Sequence, residues 1–202
     1  ALLPTEGKVE ITSGVRIGYF SQFSELDGEM SVQDVLQDVF ADVRAMEAEL
    51  EAIGERLTGA NGETAEGDAL DRALQRQADL FEAMDSCDGW NYPVRIETVL
   101  TKLGFSDAHR HRPIQQLSGG WRNRAALAKM LLEDPDVLLL DEPTNYLDIE
   151  GVAWLEEWLR SLRGAYLIVS HDRQFLDNVV NRIVEIENYH LQEYPGDYTA
   201  YI

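Results

Sequence analysis

Two short, continuously apolar runs constrain the fold most strongly. VLLL at 137–140 and AYLIVS at 165–170 flank the amphipathic segment GVAWLEEWLRSL at 151–162. An apolar run of this length without alternation is typical of a strand buried on both faces, and strands that alternate with helices form parallel sheets. The sequence therefore predicts an α/β domain whose parallel sheet is covered by helices on both faces.

The spacing of apolar residues predicts further elements. Between Leu36 and Leu57 they recur at intervals of three and four, as in a helix that packs on one partner helix. After a glycine-bearing break at 58–67, a second helix is predicted over 70–84, so the two would form an antiparallel hairpin. Residues 8–20 predict two short strands around a Ser-Gly turn, and residues 94–105 predict a helix that ends near Gly104. Residues 182–201 predict a pair of strands followed by a turn at Pro195-Gly196.

The negative charge of the chain is concentrated in its middle. The formal net charge is -20, and the stretch from Glu25 to Asp88 contains 18 acidic residues and 4 arginines, which gives -14 there and -6 elsewhere. This balance argues against a simple basic-patch binder of nucleic acid, which needs clustered Lys and Arg. The acidic helical faces are as compatible with a solvated surface as with a docking role.

The chain has no sequence feature of a membrane or secreted protein. No apolar run reaches the roughly 18 residues that span a bilayer, and the first residues lack the pattern of a signal peptide. Cys87 is the single cysteine, which excludes an internal disulfide and is compatible with a reducing cytosol. We therefore expect a soluble, cytoplasmic protein.

Polar residues follow the predicted strands. Asp141 and Glu142 come directly after VLLL, and His171 follows AYLIVS, so all three should reach the ligand-binding edge of the sheet. There Asp141 could hold Mg²⁺, Glu142 could orient an attacking water, and His171 could contact a transferring phosphoryl group. Gln22, which follows the strand ending at Phe20, could offer a carbonyl to the metal or water. Considered alone, each of these four residues could equally be an ordinary turn, loop or structural residue.

The sequence LSGGW at 117–121 predicts the start of a helix. Ser118 is placed as an N-cap, and Gly119 and Gly120 would let a ligand approach backbone N–H groups at the positive end of the helix dipole. An ordinary helix start is the simpler explanation if these five residues are considered alone.

Four motifs together resemble an ATP-binding cassette (ABC) nucleotide-binding domain of the P-loop NTPase type. They are YFSQ at 19–22, LSGGW at 117–121, DVLLLDEPTNYLD at 136–148 and SHDR at 170–173, in the family's order. The resemblance implies that ATP is bound with Mg²⁺, that Asp141 and Gln22 support the metal, and that Glu142 is the catalytic base. It also implies that Gln22 and His171 sense the γ-phosphate.

The same resemblance implies a partner. Ser118, Gly119 and Gly120 would close over ATP held by a second cassette, and Asp148 would lie at the contact with that cassette. The implied division of the chain is a partial ATP-binding core with the Q-loop at 1–24, a helical subdomain with an inserted arm hairpin at 25–92, a signature helical region at 93–135, and a Walker B to switch-histidine core at 136–202.

DEPTNYLD at 141–148 narrows the resemblance to the ABC-F proteins, which carry DEPTNHLD, although Tyr146 departs from the usual histidine. The predicted hairpin lies where ABC-F proteins carry their arm in the first of two cassettes. The resemblance implies an ATPase without a membrane domain that acts on the ribosome near the exit tRNA site. Two alternatives remain open: an ATPase subunit of an ABC transporter, and a non-catalytic scaffold module whose hairpin docks to a partner.

The family's phosphate-binding loop, GxxxxGK[ST], does not occur in the sequence. The nearest string, Gly7-Lys8, lacks a glycine five residues earlier and is followed by Val9. We therefore expect the cassette to be incomplete at its N-terminus, with the chain beginning after this loop. The loop's N–H groups and lysine make most contacts to the β- and γ-phosphates, so the chain alone should be inactive. A strand missing from the sheet could also lead the chain to self-associate.

Overall fold

A computed structural model describes residues 7–21, 26–59 and 66–202. The helices are α1 Val32–Asp38, α2 Ala41–Thr58, α3 Asp68–Ser86, α4 Tyr92–Lys102, α5 Asp107–Arg110, α6 Gly119–Leu132, α7 Ile149–Ser161, α8 Arg173–Val179 and α9 Tyr198–Tyr201, with short 3₁₀ turns at Gly89–Asn91 and Ile114–Gln116. The strands are β1 Ile17–Phe20, β2 Val137–Asp141, β3 Ala165–Val169, β4 Arg182–Glu187 and β5 His190–Pro195.

The two apolar runs form neighbouring parallel strands, as predicted. Strand β2 lies between β1 and β3, and its Leu140 is in register with Phe20 on one side and Ile168 on the other. Helix α7 connects β2 to β3, which is the crossover that a parallel pair requires. The apolar runs therefore specify both the strands and their order.

Only one face of this sheet is covered by the described residues. Phe20, Leu138 and Leu140 are buried and belong to the same core as most of α6. On the opposite face Tyr19 is 63% exposed and Leu167 is 57% exposed. The prediction of helices on both faces is therefore wrong for the described part of the chain. An apolar run indicates that both faces can be buried, but it does not identify a segment that covers each one.

The predicted strand before the Ser-Gly turn is also wrong. Residues 8–12 have no strand structure, and the side chains of Val9 and Ile11 are exposed. The turn itself is present, since Val15 N donates to Thr12 O at 3.3 Å. Alternating residues form a strand only where a neighbouring strand completes the backbone hydrogen bonds, and residues 8–12 pair with none of the described strands.

The apolar spacing between Leu36 and Leu57 spans two helices rather than one. Helix α1 ends at Asp38, α2 begins at Ala41, and Phe40 lies between them with φ -105° and ψ 27°. Phe40 is buried, with its ring 5.4 Å from that of Tyr92 and the guanidinium of Arg95 5.2 Å from its centre. Tertiary burial of this ring therefore interrupts a helix that the local spacing would continue.

Helices α2 and α3 form the predicted antiparallel hairpin. Gly59 ends α2 in the left-handed conformation, with φ 70°, and Ile53, Leu80 and Met84 are buried. Glu49 accepts two hydrogen bonds from the guanidinium of Arg76, both at 2.7 Å, and these lower the pKa of the Glu49 carboxyl. The pair is exposed, so apolar contacts at the hairpin's base provide more of its stability.

The predicted helix end near Gly104 and the predicted C-terminal strand pair are confirmed. Helix α4 ends at Lys102, before Gly104 with φ 76°, and β4 and β5 form an antiparallel pair followed by a turn at Gly196. Asn188 and Tyr189 connect the pair with positive φ values of 48° and 64°, as a two-residue hairpin turn requires. None of the described helices is long and apolar enough to cross a membrane.

Candidate functional site

Asp141, Glu142 and His171, here called the strand-edge group, lie together at the carboxyl ends of β2 and β3. Asp141 is the last residue of β2 and is in register with Val169, the last residue of β3. Glu142 N donates to Val169 O at 2.8 Å and so extends the pairing by one residue. The structure therefore brings these three predicted residues to one edge of the sheet.

Glu142 has the most constrained environment of the three. Its backbone has φ 51°, a conformation that non-glycine residues adopt rarely and often at functional sites. Its side chain is 21% exposed, and Oε1 is buried without a hydrogen-bond partner among the described residues. A buried carboxylate oxygen without a donor is costly unless a ligand, a water or a proton satisfies it.

His171 is held by its backbone while its ring remains free to contact a ligand. His171 N donates to Glu142 Oε2 at 3.4 Å, and His171 Nε2 lies 3.5 Å from Glu142 Oε1. The ring is 99% exposed. Asp172 fixes the following helix by accepting a hydrogen bond from Phe175 N at 3.1 Å. The imidazole therefore stands at the mouth of the site, beside the carboxylate.

The strand-edge group fits Mg²⁺ only as a partial coordination shell. The described residues contain no cluster of three or more His, Cys, Asp or Glu side chains that could hold a metal. Mg²⁺ commonly binds one or two carboxylates and completes its shell with waters and phosphate oxygens. The exposed carboxylate of Asp141 suits that arrangement. Gln22, the other predicted metal ligand, lies outside the described residues.

The loop at 143–148 leads from the strand-edge group to α7. Leu147 N donates to Thr144 O at 3.1 Å, and Tyr146 has φ 71°. Asp148 is the N-cap of α7, since its Oδ1 accepts a hydrogen bond from Gly151 N at 2.8 Å. The other side of Asp148 faces a groove of about 520 Å³ whose lining includes Glu142 and His171. Asp148 thus has a structural role in this chain besides the predicted partner contact.

Ser118, Gly119 and Gly120, here called the serine–glycine turn, begin α6 as predicted. Ser118 has the extended backbone of an N-cap, but its hydroxyl makes no capping hydrogen bond among the described residues. A Cβ atom at Gly119 would meet open space, whereas one at Gly120 would lie 3.2 Å from Cδ1 of Tyr146. Gly119 therefore leaves the helix N-terminus open to a ligand, while Gly120 is needed for packing.

Within the described residues, the strand-edge group and the serine–glycine turn are joined through loop 143–148. The ring of Tyr146 lies against Gly120, and the loop begins directly after Glu142. Arg124 also contacts the loop, since its Nε donates a hydrogen bond to Tyr146 O at 2.5 Å. Arg124 was not among the predicted site residues. An arginine on a helix usually indicates a solvated face, and the sequence contains no signal that this one is largely buried.

The chain is similar to known proteins in its sequence. The family model described as "ABC transporter" matches residues 2–145. A Bacillus subtilis protein described as "Uncharacterized ABC transporter ATP-binding protein YfmM" is 40% identical over 201 residues, which is 100% of this chain and 38% of that protein. The Mycobacterium tuberculosis "Energy-dependent translational throttle protein EttA" is 34% identical over 199 residues, which is 98% of this chain and 34% of that protein.

The solved structures show a similar fold. A chain in the complex of "archaeal ribosomal stalk protein aP1 and archaeal ribosome recycling factor aABCE1" has a TM-score of 0.59 and 24% identity, and the match covers 98% of this chain and 30% of that chain. This chain spans only 38% and 34% of the two protein relatives above.

Proposed function

This chain belongs to the ABC transporter family, with the α/β fold of its P-loop nucleotide-binding domains, and we propose that it is the first cassette of an ABC-F ATPase. In this proposal the whole protein hydrolyses ATP with Mg²⁺ between two cassettes. The proposed substrate is ATP, and the proposed partners are the second cassette and the ribosome.

The position of Glu142 carries the proposal. A catalytic base must offer a carboxylate oxygen to the attacking water, and Oε1 of Glu142 is the buried side-chain acceptor without a hydrogen-bond partner in the described part of the chain. The water's oxygen would form a bond to the γ-phosphorus as its proton passes to Oε1, and ADP would leave with the electrons of the broken P–O bond. The neighbouring Nε2 of His171, at 3.5 Å, can donate a hydrogen bond to a γ-phosphate oxygen.

Asp141 is the proposed protein ligand for Mg²⁺, together with Gln22. A Mg²⁺ ion held there would supply electrostatic stabilisation of the negative charge that develops on the phosphate oxygens. Asp141 is exposed at the end of β2, directly before the base in the chain, so its carboxylate is accessible to a metal ion. The separation of metal ligand and base onto adjacent residues supports different roles for two neighbouring carboxylates.

The serine–glycine turn is proposed to serve a second nucleotide, held by the partner cassette. Gly119 leaves the first N–H groups of α6 accessible, and the positive end of that helix suits a phosphate. The Ser118 hydroxyl has no capping bond to lose, so it is available for a γ-phosphate oxygen. Asp148 is proposed to contact the same partner through its exposed carboxylate edge.

The ribosome is proposed as the site of action because one relative, 34% identical to this chain, is described as a translational throttle protein. The hairpin of α2 and α3, inserted between β1 and α6, supports an ABC-F assignment over a transporter subunit, because it projects from the cassette where ABC-F proteins carry an arm.

Pelleting through sucrose tests this function. The whole protein that contains this chain should sediment with ribosomes when ATP is present, more strongly for Glu142→Gln, in which ATP persists. Ribosomes should also accelerate ATP hydrolysis by the unaltered protein. Stimulation by a membrane partner with no ribosome effect would favour a transporter subunit, and binding that is independent of ATP would favour a scaffold module.

A further inference from the structure

Arg124 connects three segments of the chain. Its Nε donates to Tyr146 O at 2.5 Å, and its Nη1 donates to Leu103 O at 3.0 Å. The same Nη1 lies 3.9 Å from Oδ2 of Asp148. Because Arg124 lies on α6, its guanidinium connects this helix to the loop that follows Glu142 and to the C-terminal end of α4.

The surroundings of Arg124 form a fitted slot for a planar guanidinium. Its side chain is only 16% exposed, and Cζ lies 4.6 Å from the ring centre of Trp121. A Cβ atom at Gly104 would lie 3.1 Å from Nη1, so a side chain there would displace the guanidinium. Lysine cannot replace this geometry, because an ammonium group has neither the planar fork nor the flat face of arginine.

Arg124 constrains the backbone conformation of Tyr146. Its φ of 71° is unfavourable for a non-glycine residue and persists only where its surroundings impose it. Arg124 holds its carbonyl from one side, while Gly120 leaves room for its ring on the other. The conformation of loop 143–148 therefore depends on contacts from α6.

We infer that Arg124 is a positioning residue that locks loop 143–148 to α6, so that the strand-edge group and the serine–glycine turn keep one relative placement. The inference rests on the proposed function, in which these two regions serve different ATP molecules. Under that function Arg124 transmits to Glu142 any displacement that a partner's nucleotide causes at the turn. Arg124 itself touches no reacting atom.

Hydrogen exchange of the 202-residue chain tests the lock without any need for ATP. Asn145 N donates to Glu142 O and Leu147 N to Thr144 O, and in Arg124→Lys both amides should exchange about tenfold faster, because a charge-assisted bond to the loop is lost. Amides in the middle of α6, such as that of Leu127, should be unchanged. The matched control is Arg122→Lys, because Arg122 is exposed one half-turn earlier on the same helix.

Two outcomes of the exchange experiment would overturn the lock. One is that the loop amides exchange equally fast in Arg124→Lys and Arg122→Lys. The other is that α6 and the loop accelerate together, which would mean that Arg124 stabilises the whole domain. Tyr146→Gly provides a second test: glycine adopts a positive φ without strain, so in this background Arg124→Lys should accelerate the loop less.

ATP turnover by the two-cassette protein provides a separate readout. Arg124→Lys should lower kcat about tenfold with the KM for ATP unchanged, because positioning of the base is lost while ATP contacts remain. A raised KM with unchanged kcat would contradict the inference. If the protein does not hydrolyse ATP, the proposed function fails, but the exchange result still decides whether Arg124 locks the loop.

Discussion

The strand-edge group and the serine–glycine turn differ in what each presents to a ligand. The strand-edge group presents side chains on a strained backbone: two carboxylates, one with a buried oxygen that has no hydrogen-bond partner among the described residues, beside an exposed imidazole. The serine–glycine turn presents backbone N–H groups at the start of α6, with a hydroxyl that makes no capping hydrogen bond in the part of the chain that the structure describes. One region is suited to proton transfer and metal binding, and the other to holding phosphate oxygens. In the proposed function the two regions therefore serve different ATP molecules.

The largest expected effect is the loss of ATP hydrolysis when the base in the strand-edge group is removed. Glu142→Gln should lower ATP hydrolysis by the two-cassette protein by roughly 10²–10⁴-fold, since an amide cannot take the proton from water. Binding of Mg-ATP should be unchanged. Rapid-quench assays and equilibrium binding measure the two quantities. Glu150→Gln, on an exposed side chain of α7, is the matched control, and an equal loss of rate there would discredit the role given to Glu142.

A second prediction separates the two glycines of the turn. Gly120→Ala should destabilise the chain by about 1–3 kcal/mol, because the new Cβ would lie 3.2 Å from the Tyr146 ring and the loop must shift. Gly119→Ala should be neutral or stabilise by at most about 1 kcal/mol, since its Cβ meets open space and alanine favours a helix. Urea denaturation of the 202-residue chain measures both. Equal effects would show that Tyr146 does not distinguish the two positions.

The smallest expected effects compare the N-caps of α7 and α6. Asp148→Ala should cost about 1 kcal/mol, because the side chain accepts the hydrogen bond from Gly151 N, and Asp148→Asn should restore most of it. Ser118→Ala should change stability by less than about 0.5 kcal/mol, since its hydroxyl makes no such bond. Thermal melts of the same chain provide the measurement. A larger loss of stability for Ser118→Ala than for Asp148→Ala would contradict the assignment of Asp148 as the side chain that caps its helix.

Local patterns in the sequence predicted the strands, the helix ends and the edge of the sheet, because these features depend on residues that are close along the chain. The apolar runs of β2 and β3 placed Asp141 and His171 at one edge of the sheet, and glycine positions marked the ends of α2 and α4. The proximity of Glu142 to His171 followed from the same rule, because parallel strands end at the same edge.

The features that were missed depend on tertiary contacts. Burial of Phe40 against Tyr92 interrupts the helix predicted through it, and the uncovered sheet face depends on which segments pack there. Arg124 carries no mark in the sequence, because its importance comes from the carbonyls of Leu103 and Tyr146, which are distant along the chain. Carbonyl groups occur at every residue, so residue types alone could not indicate these bonds.

Titration of Mg-ATP into the 202-residue chain tests the central claim most directly. The claim is that this chain contains the strand-edge group and the serine–glycine turn but not the loop that binds the β- and γ-phosphates, since GxxxxGK[ST] does not occur in its sequence. Isothermal titration calorimetry should therefore detect no binding with micromolar affinity, while a longer protein that carries such a loop should bind. Micromolar affinity for the chain alone would contradict the account, because these 202 residues would then hold the nucleotide without a GxxxxGK[ST] loop.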